Sequence, residues 1–200
     1  MSNIRRGMMA AAGAGGGAEY ELWAWGYGSS GRLGTGNNTS VSSPVQVGDK
    51  FMGEIDVASE GINATQNRIF CSYASSAAIK GDGTLWTFGI NTQGKLGIGD
   101  TTARSSPTQV GSLTDWRSVA IGQTSMCATK TDGTLWGWGN GDQPPTNPKL
   151  SGQETDVSSP VQIGSDTDWT GVLSLEMTYS NAVLGLKTDG QMYMWGSGIT

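Results

Sequence analysis

One short aromatic motif, met four times, limits what this chain can fold into. It reads Leu22-Trp-Ala-Trp-Gly26, Leu85-Trp-Thr-Phe-Gly89, Leu135-Trp-Gly-Trp-Gly139 and Met192-Tyr-Met-Trp-Gly196. Its last aromatics, Trp25, Phe88, Trp138 and Trp195, are 63, 50 and 57 residues apart. A fixed-order period of this length is the mark of an array of supersecondary units, each stacked on the next because none can bury its apolar faces alone. Other motifs keep step with the first. Pro44-Val-Gln-Val-Gly48, Pro107-Thr-Gln-Val-Gly111 and Pro160-Val-Gln-Ile-Gly164 follow it, and Lys80-Gly-Asp-Gly-Thr84, Lys130-Thr-Asp-Gly-Thr134 and Lys187-Thr-Asp-Gly-Gln191 precede it. A turn-like segment occurs twice, as Gly31-Arg-Leu-Gly-Thr-Gly36 and Gly94-Lys-Leu-Gly-Ile-Gly99.

Each motif has a local physical meaning. Asp-Gly between two apolar runs predicts a tight hairpin, because that turn needs positive φ. Asp82-Gly83, Asp132-Gly133 and Asp189-Gly190 are therefore read as turns and not as a carboxylate cluster. The second hairpin is entered by Ser125–Lys130 and left by Thr134–Trp138. In the exit strand Trp136 and Trp138 share one face while Leu135 and Gly137 share the other. Neither face is polar, so both must be covered. Sheets stacked around an axis, as in a propeller, meet that need. Asp115-Trp116 and Asp168-Trp169 introduce further short apolar strands, Ser118–Ile121 and Val172–Leu175. The expected class is all-β: three tandem repeats of propeller-type blades, at about 23–85, 86–135 and 136–192, forming a partial or oligomer-completed propeller. The stretch Asp49–Phe70 reads as an insertion in an exposed loop, and Asp142–Pro148 as a stiff extended one.

Composition removes several functional classes. The chain contains no histidine, hence neither the commonest general base nor the commonest metal ligand. No nucleophile–base pair can be nominated, so no catalytic residue is assigned and an enzyme is not expected. No cofactor or metal is expected either. Cys71 and Cys127 belong to no CxxC motif, and the sequence leaves their pairing open. Gly94–Gly99 is not a phosphate loop, since Leu96 and not Ser or Thr follows Lys95. Asp166 and Asp168 are too few for a calcium site. A net charge of −5 argues against nucleic acid as a partner, and no apolar run is long enough for a membrane span. The eight tryptophans are read mainly as core, because large aromatics supply the burial that few aliphatics offer. Trp116 and Trp169, outside the aromatic strands, are the ones expected to be exposed and to contact a partner. Asn37, Asn38 and Asn63 each begin an N-x-Ser/Thr triplet, which matters only in a eukaryotic secretory setting.

Residues 1–21 are read as a flexible N-terminal arm before a repeat domain spanning 22–200. The segment Met1–Ala18 is rich in Ala and Gly. It fits a linker, a short cleaved signal, or an anchoring arm that orders against a partner. In the last case Arg5, Arg6, Met8 and Met9 are the candidate contacts.

Taken in order, Trp-x-Trp/Phe-Gly, Gly-x-Leu-Gly-x-Gly, Pro-x-Gln-x-Gly and Asp-Gly-x-Leu resemble the regulator-of-chromosome-condensation repeat over residues 22–196. The resemblance implies four-stranded blades in a propeller, and members of that family include a chromatin-bound exchange factor, bacterial secreted inhibitors and proteins of tailed bacteriophages. The basic character of the exchange factor is missing here, and Gln123-Thr124-Ser125 stands where the family commonly has His-Ser. Three repeats are too few to close a ring, and the array begins and stops within a repeat. Copies completing one another, docking on a larger particle, or a fragment of a longer chain would each account for that. The segment Ile4–Ala14 resembles N-termini of phage virion proteins. The expectation is a non-enzymatic virion structural or assembly protein of a tailed bacteriophage, as capsid decoration or tail or fibre component. Its partners would be other virion proteins or copies of itself. The alternative is a secreted or surface bacterial propeller that binds a protein ligand as inhibitor or adhesin.

Overall fold

The computed structural model describes residues 18–48, 53–55, 69–72, 74–141, 156–177 and 180–196. The strands in chain order are β1 (Ala18–Tyr20), β2 (Trp23–Gly26), β3 (Val41–Gln46), β4 (Gly53–Ile55), β5 (Ile69–Cys71), β6 (Ser75–Ile79), β7 (Leu85–Gly89), β8 (Arg104–Gln109), β9 (Trp116–Ile121), β10 (Ser125–Lys130), β11 (Leu135–Gly139), β12 (Val157–Ile163), β13 (Trp169–Met177), β14 (Ser180–Lys187) and β15 (Met192–Gly196). All pair antiparallel with their sequence neighbours, except that β1 pairs with β4.

The class is the expected one, all-β and built of blades, but the blades are out of phase with the repeats. Hydrogen bonding groups β2-β3, β5-β6-β7-β8, β9-β10-β11-β12 and β13-β14-β15 into four sheets. Two blades are complete, and the outer two have two and three strands among the described residues. The conspicuous Trp-x-Trp motif is the third strand of a blade, so repeats counted from it begin mid-blade. The physical boundary falls at Asp115-Trp116 and Asp168-Trp169, which open β9 and β13.

Alternation in each strand sends one face to the preceding blade and the other to the following one. Ala78, Trp86 and Phe88 of the second blade pack with Leu22, Ala24, Leu33 and Val47 of the first. Ala77, Ile79, Leu85 and Val110 on its other face pack with Val119, Ile121, Met126 and Trp138 of the third. Cys127, Leu135 and Ile163 then meet Trp169, Val172 and Val183 of the fourth. Each of the three junctions is a buried apolar layer, and full burial of one large apolar side chain stabilises by about 1.5–3 kcal/mol. This is the two-sided burial that the apolar strands require.

Pro44, Pro107 and Pro160 lie in β3, β8 and β12, the outermost strand of each blade. Each falls where the pairing register shifts. Proline lacks a ladder donor and is tolerated at such edges and bulges, where it also blocks further strand addition.

Two boundaries differ from expectation. Ala18–Tyr20, placed in the arm, pairs with Gly53–Ile55, which falls within the presumed loop insertion. The two form a separate ribbon through a long-range pairing that no local pattern announces. Asp142–Pro148, Asn63, and Arg5, Arg6, Met8 and Met9 lie outside the described residues.

Candidate protein-contact surfaces

The repeated polar residues are used internally. In the second blade Asp82 Oδ1 accepts from the Thr84 amide at 3.0 Å and from its hydroxyl at 2.6 Å, and Trp86 Nε1 donates to Thr84 Oγ1 at 2.8 Å. The third blade repeats the set with Asp132, Thr134 and Trp136. In the fourth, Asp189 accepts from the Gln191 amide, and Tyr193 donates to Gln191. The Thr134 hydroxyl and amide hold the Asp132 carboxyl below its usual range. Around Asp82, burial pushes the other way and is outweighed by the two bonds from Thr84 together with the Lys80 charge and the Asp82 amide. A carboxylate tied to its own turn is a structural group, as the hairpin reading expects.

The lysine before each turn has a role that sequence reasoning missed. Lys130 Nζ sits 4.1 Å from the Trp136 ring centroid and 5.2 Å from that of Trp116, with Asp115 at 3.7 Å. Lys80 covers Trp86 at 4.1 Å. Lys187 lies over Trp169 and Tyr193 and pairs with Asp166 at 2.6 Å and Asp168 at 3.0 Å. The Asp166 hydrogen bond is the main reason the Lys187 ammonium is held above the usual lysine range. Cation–π contacts of this kind need the lysine at a fixed offset from both aromatics. That recurrence of Lys before Asp-Gly was the available signal.

Trp116 and Trp169 are not exposed, which corrects the sequence expectation. They are 3% and 8% accessible. Trp116 meets Trp136 and Trp138 edge-on at 6.2 and 6.0 Å. Its amide donates to Gly83 O at 3.1 Å, and that of Trp169 to Gly133 O at 3.0 Å. The start of each blade is thus pinned on the hairpin turn of the blade before it. A Cβ on Gly83 or Gly133 would run into the carbonyl of Thr114 or Thr167, so the crossing is too close for any other residue.

The other end of the junction is closed by the Gly-x-Leu-Gly-x-Gly turns. Gly36 donates to Ser105 O at 2.8 Å and Gly99 to Ser158 O at 2.7 Å, each reaching forward to the outer strand of the next blade. Gly97 lies against the Trp138 ring, whose Nε1 donates to Lys95 O at 2.9 Å. Asn91 organises the turn: its amide nitrogen donates to Asp100 O and Thr102 O, and its oxygen accepts from the Leu96 amide.

Cys71 and Cys127 form no disulfide. Burial pushes the Cys127 thiol far above its ordinary range. Among the described residues no three His, Cys, Asp or Glu side chains gather as a metal site, and no helix is long and apolar enough to cross a membrane.

Among the described residues, the large apolar side chains left to solvent are Tyr27, Val45, Leu113, Leu173, Met192, Tyr193 and Met194. Four of the seven belong to the last blade, whose strand Met192–Gly196 is apolar on both faces and reads from the sequence as covered on both, an expectation that the exposure of Met192, Tyr193 and Met194 corrects. A blade's surface is decided by whether a neighbour lies beside it, which composition does not report.

Sheets of this topology, joined face to face by Asp-Trp entries and glycine turns, define a β-propeller of the chromosome-condensation-regulator type. The profile of the regulator of chromosome condensation (RCC1) repeat matches residues 21–79 and 82–129, and the chain belongs to that family. It is 29% identical over 177 residues to the mouse E3 ubiquitin-protein ligase HERC2, covering 86% of this chain and 3% of that protein. It is 32% identical over 117 residues to the ultraviolet-B receptor UVR8 of Arabidopsis thaliana, covering 58% of this chain and 24% of the receptor. The Xenopus laevis regulator of chromosome condensation is 33% identical over 112 residues, or 54% of this chain and 26% of that protein. Among solved structures, human WBSCR16 superposes with a TM-score of 0.66 at 21% identity, over 90% of this chain and 42% of that one. Yeast Prp20p gives 0.65 at 20% identity, with the same two coverages. The chain therefore spans less than half the length of each of these five proteins.

Proposed function

We propose that this chain is a non-enzymatic scaffold that assembles with other proteins through the surfaces its blades leave open. The observation that carries this is where the apolar residues lie. The repeated Asp, Thr, Lys and Trp residues are consumed in turns and junctions, while Leu173, Met192 and Met194 of the last blade face solvent. A contiguous apolar face left to solvent marks a contact surface. A protein similar in fold is described by its binding to proteins: yeast Prp20p, to Gsp1p and histones. The ligase activity of HERC2 belongs to a protein of which this chain matches 3%, so it is not assigned here.

The finer reading is a structural or assembly component of a tailed-bacteriophage virion, as capsid decoration or as part of a tail or fibre. Its support is the small-residue segment Ile4–Ala14, with Arg5, Arg6, Met8 and Met9, together with the acidic charge of the chain. The test is quantitative mass spectrometry of gradient-purified particles, with full-length protein and with a variant lacking residues 1–17. The reading expects a fixed copy number per particle for the full chain and its loss for the truncation. Equal attachment of both, or absence from particles, overturns the virion reading.

A further inference from the structure

Every Ser-Pro step in the chain falls at one position of the outer strand: Ser43-Pro44 in β3, Ser106-Pro107 in β8 and Ser159-Pro160 in β12. The remaining prolines follow Gln143, Pro144 and Asn147. Ser43, Ser106 and Ser159 are all exposed. Each lies in the last strand of its sheet, with no strand beyond it among the described residues. A proline disfavours the helical region for the residue before it and holds that residue extended. It also keeps another strand from pairing there. An extended segment with a free edge and an exposed hydroxyl is thus repeated in each of these blades.

Two of the hydroxyls stand at a seam between blades. The serine before each supplies the carbonyl on which the preceding blade's turn rests: Ser105 O takes the Gly36 amide at 2.8 Å, and Ser158 O that of Gly99 at 2.7 Å. A Cβ on Gly36 would meet only Ser106 Oγ within 4 Å, at 3.7 Å, and one on Gly99 only Ser159 Oγ, at 3.9 Å. Each hydroxyl therefore borders its seam with open space beside it. The charges at the two seams differ. Gly36 is followed by the neutral Asn37, whereas Gly99 is followed by Asp100. Arg104 is already held by Asp100, and a second carboxylate, Asp156, precedes Ser159 by three positions.

We infer that Ser43, Ser106 and Ser159 are phosphorylation sites for a proline-directed serine kinase, and that the added charge weakens the seam at Ser159 while sparing the one at Ser106. Proline suits a kinase groove that takes a residue without a backbone N–H directly after the serine. In the transfer the serine Oγ bonds to the γ-phosphorus of ATP and the bond to the β,γ-bridging oxygen breaks. ADP leaves, and the hydroxyl proton passes to the carboxylate of the kinase. The phosphoryl group brings about −1.5 to −2 charges at pH 7, and next to carboxylates it disrupts by repulsion. At Ser159 it lands between Asp100 and Asp156. At Ser106 the facing turn carries Asn37 and offers no such opposition.

The test is treatment of the full 200-residue chain with magnesium-ATP and a mitogen-activated proline-directed kinase, followed by mass-spectrometric site mapping. Synthetic peptides of the same segments serve as fully accessible substrates. Ser106→Ala, Ser159→Ala, Pro107→Ala and Pro160→Ala accompany them, with circular dichroism checking each fold. The expected result is labelling of the native chain at Ser43, Ser106 and Ser159, with loss at the altered site in each variant. In the labelled protein the Gly99 amide should exchange with solvent about tenfold faster while the Gly36 amide is unchanged. The Ser159→Ala protein should not show that acceleration. Labelled peptides beside an unlabelled native chain overturn the sites, as do unlabelled peptides or labelling that ignores the prolines. Equal exchange at Gly36 and Gly99 after labelling overturns the seam effect.

Discussion

The indole Nε1 of Trp138 donates to the backbone carbonyl of Lys95 at 2.9 Å, joining one blade to the turn of the blade before it. The bond is buried and spans 43 positions of sequence. It shows how this stack holds together: the wide aromatic that fills a junction also satisfies the carbonyl of the turn that caps it. Trp138→Phe keeps most of the apolar volume but leaves Lys95 O without this donor. Loss of a buried hydrogen bond costs about 0.5–1.5 kcal/mol, so Tm should fall by roughly 1–6 °C in a chain of this size. Calorimetry that finds an unchanged Tm would remove the bond from the account.

Gly97 and Gly111 both have positive φ, at 72° and 62°, but differ in their surroundings. A Cβ on Gly97 would lie 2.6 Å from Trp138 Nε1, whereas one on Gly111 meets nothing within 4 Å. Gly111→Ala should therefore cost only the backbone strain, about 1–2 kcal/mol. Gly97→Ala must also displace the indole and should cost clearly more. Urea midpoints compare the two directly, and equal losses would contradict the packing argument.

The Asp132 carboxyl titrates below its ordinary value of 3.8, held there chiefly by the Thr134 hydroxyl. A depressed carboxyl contributes stability that is present above its unfolded value and lost as pH falls through the folded one. The window is thus pH 4 and below. Asp132→Asn retains an oxygen acceptor but cannot titrate. Its stability deficit at pH 7 should narrow below pH 4, as read by urea melts at pH 7, 4 and 3. A deficit constant across that range would mean the turn does not feel the charge.

Cys127 is fully buried in the junction between the third and fourth blades, and burial holds its thiol protonated. Since the thiolate is the reactive species, iodoacetamide at pH 8 should leave Cys127 unmodified in native protein and label it after denaturation. Peptide mapping resolves it from half-buried Cys71. Rapid native labelling of Cys127 would show that this junction opens readily.

The hairpin turns were legible in the sequence because their chemistry is local: Asp82, Asp132 and Asp189 each bond to a residue two positions on. The two-sided burial was legible as well, since Leu135 and Trp136 point in opposite directions and neither is polar. The fate of Trp116 and Trp169 was not. Each follows a loop-like stretch, and its burial depends on a bond to Gly83 or Gly133 in the preceding blade. Blade phase was hidden for a related reason. The eye takes Leu135-Trp136 as the start of a unit, but the hydrogen-bonded sheet begins at Trp116. The β1–β4 ribbon joins residues more than thirty positions apart. The face at Met192 and Met194 has the composition of a buried strand, yet no blade among the described residues covers it.

The forward-reaching turn bears on how such a chain can be lengthened. The segment Gly94–Gly99 emerges from one blade yet finishes the next, resting on Ser158 and Trp138. A duplication or graft cut between an outer strand and the following Asp-Trp would move a sheet without the cap that seals it. A cut just before the turn would move the cap with β9, β10 and β11 of the sheet it seals, the outer strand β12 coming with the following copy. The portable module is therefore the stretch from one aromatic strand to the next, and inheritance by tandem copying would conserve that frame even though folding recognises another.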